Sequence, residues 1–232
     1  PHPMFTSLLS PLVHLFYPHC CELCGTDLRQ TDELLCFRCQ QALPVTHFHR
    51  YPANPVAKIF SGRVMIQQAA AIYYYNRSSG IQQLIHRFKY RQRPDIATWL
   101  GKQAGYLLRE TAWTAGIDFL APVPLFPRKE RLRGYNQAAL LANGIAGVLR
   151  LPVHPQTLYR QQFTTTQTQK GRTERWQNVA AVFNTGGNQL SGLHVLLVDD
   201  VITTGATTEA CCTALQKAGA RVSVCCLAYA WK

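Results

Sequence analysis

The segment VLLVDDVITTGATT, residues 195–208, joins a strand-like run to a polar loop and the start of a helix. The run opens with valines and leucines, a pattern typical of a strand that is buried on both faces of a parallel sheet. Two adjacent carboxylates, Asp199 and Asp200, come directly after it. Because open α/β sheets bind ligands at the carboxyl ends of their strands, we expect the chemistry of this protein to lie just beyond Val198.

The loop after the two acids has the composition of a phosphate site. Its small and hydroxyl-bearing residues are Thr203, Thr204, Gly205, Ala206 and Thr207. Gly205 lets the backbone approach a phosphate closely, and the helix that begins nearby directs its unpaired N–H groups and positive dipole end to the same point. Adjacent carboxylates accept hydrogen bonds from paired hydroxyls, so the segment predicts a site for a ribose and a phosphate together. The alternative is an ordinary strand-to-helix turn with capping threonines.

This segment resembles the fingerprint of the type I phosphoribosyltransferases. That fingerprint is four apolar residues, two acids, an apolar residue, any residue and T-T-G, and every position matches. The resemblance implies that Asp199 and Asp200 bind the ribose hydroxyls of phosphoribosyl pyrophosphate and that residues 203–207 bind its 5-phosphate. No G-x-x-x-x-G-K-[ST] or G-x-G-x-x-G motif supports a different nucleotide site.

Strand-like and helix-like segments alternate along the chain. The predicted strands lie at residues 69–75, 118–124, 179–183, 195–198 and 222–230, and the predicted helices at 81–88, after Pro94, at 136–149 and at 207–218. The pattern of residues 69–75 also suits the start of a helix. Strand, helix and strand in succession predict an α/β fold, a type I phosphoribosyltransferase-like parallel sheet flanked by helices.

Two C-x-x-C pairs near the start predict a metal site. Cys21, Cys24, Cys36 and Cys39 are separated in the middle by the eleven residues 25–35. Thiolates at this spacing surround one tetrahedral ion, and four protein ligands leave no open position for catalysis, so we predict structural Zn²⁺. Two alternatives stay open: Cys20 replaces Cys21 as a ligand, or the pairs are redox or disulfide cysteines.

The cysteine region is expected to be a small module of its own. Pro44, Pro52 and Pro55 interrupt regular structure after it, and few large apolar side chains are available to form its core, so a metal would supply its fold. We divide the chain into an N-terminal amphipathic helix at 1–18, a zinc-binding module and linker at 19–55, and a phosphoribosyltransferase-like domain at 56–232.

The N-terminal helix is predicted from apolar residues at helical spacing. These are Leu8, Leu9, Leu12, Leu15 and Phe16. We expect this helix to pack on the body of the protein, with attachment to a membrane surface as the alternative. Met4 is a candidate for the first native residue, since the chain opens on Pro1.

The charge and the cysteines indicate the partners and the compartment. Lys and Arg number 24 against 12 Asp and Glu, which gives a net charge of +12. This excess indicates anionic partners, but a generally basic surface would give the same number, so charge alone does not choose between the two. The nine cysteines are odd in number and clustered. This usage, without a signal peptide, predicts a reduced, cytoplasmic location.

Two cationic segments are candidates for binding a pyrophosphate leaving group. The first, residues 128–137, is predicted to be a loop and contains Arg133; the second, residues 160–175, contains Lys170. Phosphoribosyl transfer develops charge on pyrophosphate, so we expect Arg133 and Lys170 to act with Mg²⁺ in catalysis. For any single basic residue here, the alternative is a solvated surface charge.

Taken together, the motifs resemble the ComF family, of the ComFC or GntX type, over nearly the whole chain from Cys20. The motifs are the cysteine pairs, HRFKY at 86–90, RLRGYNQ at 131–137, QTQKGRTERWQN at 167–178 and VDDVITTGATT at 198–208. One departure is Lys170-Gly171, where relatives commonly have an apolar residue and Ser.

The ComF resemblance implies a role in natural transformation. Imported single-stranded DNA would be handled in the cytoplasm, at the inner face of the cytoplasmic membrane, alongside a ComFA-like helicase or ATPase. A basic surface without a base-reading motif suits contact with DNA phosphates.

Two hypotheses remain for the chemistry. In one, the protein transfers the phosphoribosyl group to an unknown acceptor; in the other, it is a non-catalytic DNA-binding adaptor that uses the phosphoribosyl site as a ligand sensor. Lys232 follows the last predicted strand directly. We therefore expect no C-terminal hood over a base, which disfavours nucleotide salvage.

Overall fold

A computed structural model describes residues 19–28, 30, 33–160, 183–186 and 189–231. Helices α1 to α7 are Phe37–Gln41, Pro55–Phe60, Gly80–Tyr90, Pro94–Arg109, Pro127–Arg133, Gln137–Leu149 and Ala206–Lys217. Strands β1 to β6 are Ala69–Tyr74, Phe119–Pro122, Tyr159–Arg160, Phe183–Asn184, His194–Ile202 and Arg221–Tyr229, and two short 3₁₀ helices lie at Phe48–Arg50 and Ala112–Gly116.

A parallel four-stranded sheet in the order β1-β6-β5-β2 forms the centre of the protein. Val195 pairs with Phe119 on one side and with Val222 on the other. The α3, α4 and α6 helices contribute to the core on one face of the sheet, and α2 and α7 to the core on the other. The predicted parallel sheet flanked by helices is confirmed, and so is the strand over residues 69–74.

The signature strand is longer than the sequence predicts. Its pairing with β6 continues past Val198, with Asp199 opposite Cys226 and Ile202 opposite Tyr229. The prediction that the strand ends at Val198 is therefore wrong: both acids lie within β5. Carboxylates are poor strand formers, and only the tertiary pairing with β6 overrides that preference.

Residues 44–55, predicted to be a linker, lie against β1. Val45 forms a bridge with Tyr73, and the Thr46 hydroxyl donates to the carbonyl of Ala71. The buried Asn54 side chain donates to Ala69 O at 2.8 Å and accepts from Val56 N at 3.0 Å, which caps α2. The segment thus covers the edge of the sheet and holds α2 in place. The domain limits at 18/19 and 55/56 remain predictions.

Residues 127–133 form the helix α5, so the prediction of a loop there is wrong. Pro127 lies in the first turn, where a backbone N–H has no hydrogen-bond partner within the helix, so proline is tolerated there. Gly134 ends the helix with φ +79°. No residue of α5 is buried. An exposed helix without an apolar face gives no periodic signal, which is why the sequence pattern did not reveal it.

Several predictions fall on residues outside the described ones. These are the N-terminal amphipathic helix at 1–18, most of the strand at 179–183 and the segment around Lys170. In the parts of the chain that the structure describes, no helix is both long and apolar enough to cross a membrane.

The four cysteines of α7 and β6, Cys211, Cys212, Cys225 and Cys226, are buried in the core. Burial raises the pKa of the Cys225 thiol to about 12. A thiol with so high a pKa is unreactive at neutral pH, which agrees with the packing role that their apolar neighbours indicate.

Helices α4 and α6 cross in direct backbone contact at two glycines. A Cβ on Gly144 would clash with Thr98 O and lie 2.8 Å from the Cα of Gly101. A methyl group there must push the helices apart, whereas Gly147, on the same helix, has nothing within 4 Å of such an atom.

We expect Gly144→Ala to lower the free energy of unfolding by about 1–3 kcal/mol, the usual cost of overpacking. The control Gly147→Ala should be neutral or more stable by up to about 1 kcal/mol, because alanine is the better helix former. Urea unfolding followed by circular dichroism measures both, and equal stabilities for the two variants would contradict this packing.

Candidate functional site

The polar loop lies between the end of β5 and the first turn of α7, at the carboxyl edge of the sheet. Thr203, Thr204, Ala206 and Thr207 are exposed there. Gly205 is buried, with φ +76°, and no side chain caps the start of the twelve-residue helix. The backbone N–H groups of the first turn therefore remain available to an anion, and the predicted loop residues are together at one place.

Helix α2 shapes this loop from behind. A Cβ on Gly205 would lie 2.5 Å from Cγ2 of Ile59, so only glycine fits. Arg63, which follows α2, donates to Thr204 O at 3.1 Å and forms an ion pair with Glu209. The loop is thus held by α2 on one side and by the first turn of α7 on the other.

The two acids differ in their surroundings. Burial, followed by the negative charge of Asp200, raises the pKa of Asp199 to about 7. Hydrogen bonds from the Asp200 N–H, at 2.8 Å, and from the Thr208 side chain oppose that rise. Asp200 instead forms an ion pair, with its Oδ2 2.7 Å from Nζ of Lys89. Both partners of this pair are largely buried, at 17% and 18% exposure.

Lys89 is the site residue that analysis of the sequence did not identify. In the sequence it is part of the HRFKY motif, near the end of a predicted helix. Basic residues are common at that position because they interact favourably with the helix dipole. Its position directly after Phe88, on the buried face of α3, is the signal that was available. Only the tertiary structure shows that this face turns toward Asp200.

A cavity of about 390 Å³ lies next to the ion pair, between α3 and α5. It is lined by Lys89, Tyr90, Gln92, Lys129, Leu132, Arg133 and Tyr135. The Arg133 guanidinium lies 5.2 Å from the centre of the Tyr90 ring, and the Tyr135 hydroxyl donates to the carbonyl of Phe88. Arg133 and Lys89 thus line one cavity, in which three cations can hold a small polyanion. Lys170 lies outside the described residues.

The four cysteines of the two C-x-x-C pairs come together in one cluster. The Sγ atoms of Cys21, Cys24, Cys36 and Cys39 all lie within 4.8 Å of one another. Tetrahedral coordination with bonds of about 2.3 Å separates sulfurs by about 3.8 Å, and Cys24 and Cys36 are 3.6 Å apart. The geometry fits one metal ion.

Local hydrogen bonds favour the thiolate at Cys24 and Cys21, whereas burial and hydrogen bonds with the neighbouring cysteines raise the pKa of Cys39 to about 12. Contacts with the Thr26 side chain and backbone lower the pKa of Cys24 to about 6. Burial opposes ionisation of Cys21, but backbone N–H groups of Cys24, Cys36 and Leu23 lower its pKa overall. Cys20 lies apart from the cluster and donates to Asp27 Oδ1 at 3.4 Å. N–H and hydroxyl groups that donate to sulfur in this way commonly surround the ligands of a thiolate metal site.

Sequence comparisons find similarity over the second half of the chain and, with two relatives, over most of it. A family model described as a phosphoribosyl transferase domain matches residues 136–231. The DNA utilization protein YhgH of Salmonella typhimurium is 30% identical over 211 residues, which cover 89% of this chain and 88% of that protein. The competence protein ComFC of Bacillus subtilis is 26% identical over 211 residues, covering 85% and 84%.

Among solved structures, the chain is similar to the glutamine phosphoribosylpyrophosphate amidotransferase of B. subtilis complexed with ADP and GMP. The identity is 21% and the TM-score 0.41, over 60% of this chain and 30% of that one.

We predict that the metal content depends on the four cysteines of the cluster and not on the neighbouring Cys20. We expect one metal ion per wild-type chain and per Cys20→Ser chain, measured by plasma mass spectrometry after gel filtration. Cys36→Ser should lose most of the metal, because three thiolates and a hydroxyl bind a soft cation weakly. Equal loss in Cys20→Ser and Cys36→Ser would mean that the ligand set is different.

Proposed function

Since this chain belongs to the ComF family, we propose that it binds phosphoribosyl pyrophosphate with Mg²⁺ and handles imported single-stranded DNA during natural transformation. The observation that carries the ligand proposal is the pair Asp199 and Asp200 at the end of β5, followed by a loop with open N–H groups. Acids and anion donors are adjacent there, as a ribose phosphate requires.

Each part of the ligand has a counterpart in the site. Asp199 and Asp200 accept hydrogen bonds from the ribose hydroxyls, and residues 203–207 donate N–H and hydroxyl groups to the 5-phosphate. Lys89 and Arg133 hold the diphosphate in the cavity between α3 and α5. Mg²⁺, which binds phosphates together with carboxylates, supplies further charge neutralisation when it is bound.

The same cations support phosphoribosyl transfer. When the bond from C1 of the ribose to pyrophosphate breaks, negative charge grows on the leaving oxygen, and Arg133 and Lys89 stabilise it. We assign Lys170 to the same task from its cationic segment. Asp199 and Asp200 orient the ribose ring and lie close to the positive charge that develops on it.

The four-cysteine cluster is a structural zinc site in this proposal. The four cysteine ligands leave no position for a substrate, and thiolates select Zn²⁺ over hard cations such as Mg²⁺. Its metal supplies the fold of a module with little core of its own.

The relatives and the charge support the proposed DNA role. The similar proteins carry the names DNA utilization protein and competence protein. A net charge of +12 suits contact with phosphates without base specificity. We place the protein in the cytoplasm, at the inner face of the membrane, with a ComFA-like ATPase as its partner.

The charge also favours a second candidate, a non-catalytic adaptor that senses phosphoribosyl pyrophosphate while it binds DNA. Pyrophosphate release separates the two. A catalyst releases pyrophosphate with some base or single-stranded DNA as acceptor, and Asp200→Ala abolishes the release. An adaptor binds the ligand in Mg²⁺ without release under any of these conditions.

We expect the two halves of the ligand to depend on different residues. Asp200→Asn should weaken binding of ribose 5-phosphate about tenfold or more, because a hydrogen bond to a charged group contributes about 1.5–3 kcal/mol. Lys89→Ala should weaken binding of pyrophosphate in Mg²⁺ and have less effect on ribose 5-phosphate. Isothermal titration calorimetry measures both ligands.

Asp118→Asn is the matched control, since Asp118 lies near the opposite edge of the sheet, where it accepts from His194 N at 2.7 Å. It should bind both ligands like the wild type. If Asp200→Asn binds ribose 5-phosphate as tightly as Asp118→Asn does, the assignment of the acid pair is wrong.

A further inference from the structure

A larger cleft, of about 760 Å³, shares Lys89 and Tyr90 with the smaller cavity. We call it the α3 cleft, because most of its wall is that helix. It is lined by Tyr75, Gln82, Gln83, Ile85, His86, Arg87, Lys89, Tyr90, Arg91 and Arg93. Its volume is in the range of small-ligand clefts, about 300–1,000 Å³, so it can hold a group of nucleotide size.

The wall of the α3 cleft is cationic. Among the described residues, it contains three arginines and one lysine and no carboxylate. Arg91 is exposed and forms none of the ion pairs found in the described part of the chain. A phosphate that enters the cleft therefore meets Arg91 without displacing another anion.

Two of the cations are held in place by the cysteine module. Glu22, between Cys21 and Cys24, has a side chain that is only 10% exposed and forms ion pairs with Arg87 and Arg93. Its Oε1 lies 2.6 Å from Nη1 of Arg93. Arg93 also donates to Asp95 from Nε and Nη2, at 2.9 and 2.7 Å, so fewer of its five N–H donors remain than of those of Arg87. Arg87 and Arg93 are thus held in place in the wall, on either side of the exposed Arg91.

Aromatic rings lie beside these cations. The Tyr90 side chain is 63% exposed, and its ring centre lies 4.9 Å from that of His86. Tyr75 extends β1 at the carboxyl edge, where its N–H donates to Tyr229 O at 2.8 Å. Exposed rings next to cations are the combination that binds single-stranded nucleic acids, because bases stack on the rings while phosphates contact the cations.

We propose that the α3 cleft binds a nucleotide unit of single-stranded DNA, with the base on Tyr90 and the phosphate at Arg91. The proposal rests on the DNA role proposed above and adds the location of the strand, beside the phosphoribosyl site and in contact with it through Lys89. Double-stranded DNA cannot bind in this way, since its bases are stacked on one another and cannot reach the Tyr90 ring.

The test is fluorescence anisotropy with a labelled oligothymidylate over a series of salt concentrations. Tyr90→Ala should weaken binding about tenfold, as expected for the loss of one stacked base, and Tyr90→Phe, which keeps the ring, should restore it. Arg91→Ala should reduce the slope of log K against log salt by about 0.7, the value for one phosphate contact on a single strand.

Two controls match these variants. Tyr106 is an exposed tyrosine with Arg109 5.5 Å from its ring centre, much as Arg133 lies over Tyr90, and Tyr106→Ala should bind like the wild type. Arg221 is exposed at the amino edge of the sheet, and Arg221→Ala should keep the salt slope. A circular dichroism spectrum and a urea unfolding midpoint like those of the wild type show that each variant is folded.

The outcomes distinguish this inference from the function on which it rests. If the wild type binds the oligonucleotide but Tyr90→Ala and Arg91→Ala behave like their controls, the cleft is not the DNA site, while the DNA role stands. If Arg91→Ala alone has an effect, the cleft binds an anion without a base, and the nucleotide assignment is wrong. If the wild type does not bind, the proposed DNA role fails and the inference with it.

Discussion

The pairing of β5 with a strand on each side fixes where Asp199 and Asp200 meet the solvent. Because β5 pairs with β6 as far as Ile202, both carboxylates are held in a rigid backbone at the edge of a buried sheet. Burying charge in this way is unfavourable unless partners compensate it. For Asp199 the partners are a backbone N–H and the Thr208 side chain, and for Asp200 the partner is Lys89. The helices around this edge of the sheet must therefore place Thr208 and Lys89 within hydrogen-bonding distance of the two carboxylates.

One helix connects the acid pair to the cysteine module. Lys89 and Arg87 both lie on α3, and Lys89 contacts Asp200 while Arg87 contacts Glu22 in the first cysteine pair. The Lys89–Asp200 pair is largely buried, so the removal of one partner would leave an uncompensated charge, whereas Arg87 is 41% exposed and its pair with Glu22 is the weaker contact. Glu22 thus joins the cysteine module to the helix that carries Lys89.

Features that are local in the sequence could be predicted, and features that depend on tertiary contacts could not. The apolar run before Asp199 and the spacing of the cysteine pairs each carry their own signal, and the structure has the parallel sheet and the sulfur cluster that they predict. Glu22 carries none and Lys89 only its position next to Phe88, since each looks like an ordinary charged residue until its partner, 65 or 111 positions away, is known. Helix α5 was missed for a related reason, because no apolar face marks it.

Lys89 also links the two proposed ligands. It forms an ion pair with Asp200, lines the cavity assigned to the diphosphate and lines the α3 cleft. Ribose hydroxyls that donate to Asp200 leave its negative charge in place, so Lys89 keeps its ion pair and offers its remaining N–H donors to whichever phosphate lies nearest. A diphosphate in the smaller cavity and a nucleotide in the cleft then compete for the same cation. If both ligands bind, each therefore lowers the affinity of the other, and by linkage the factor is the same in both directions.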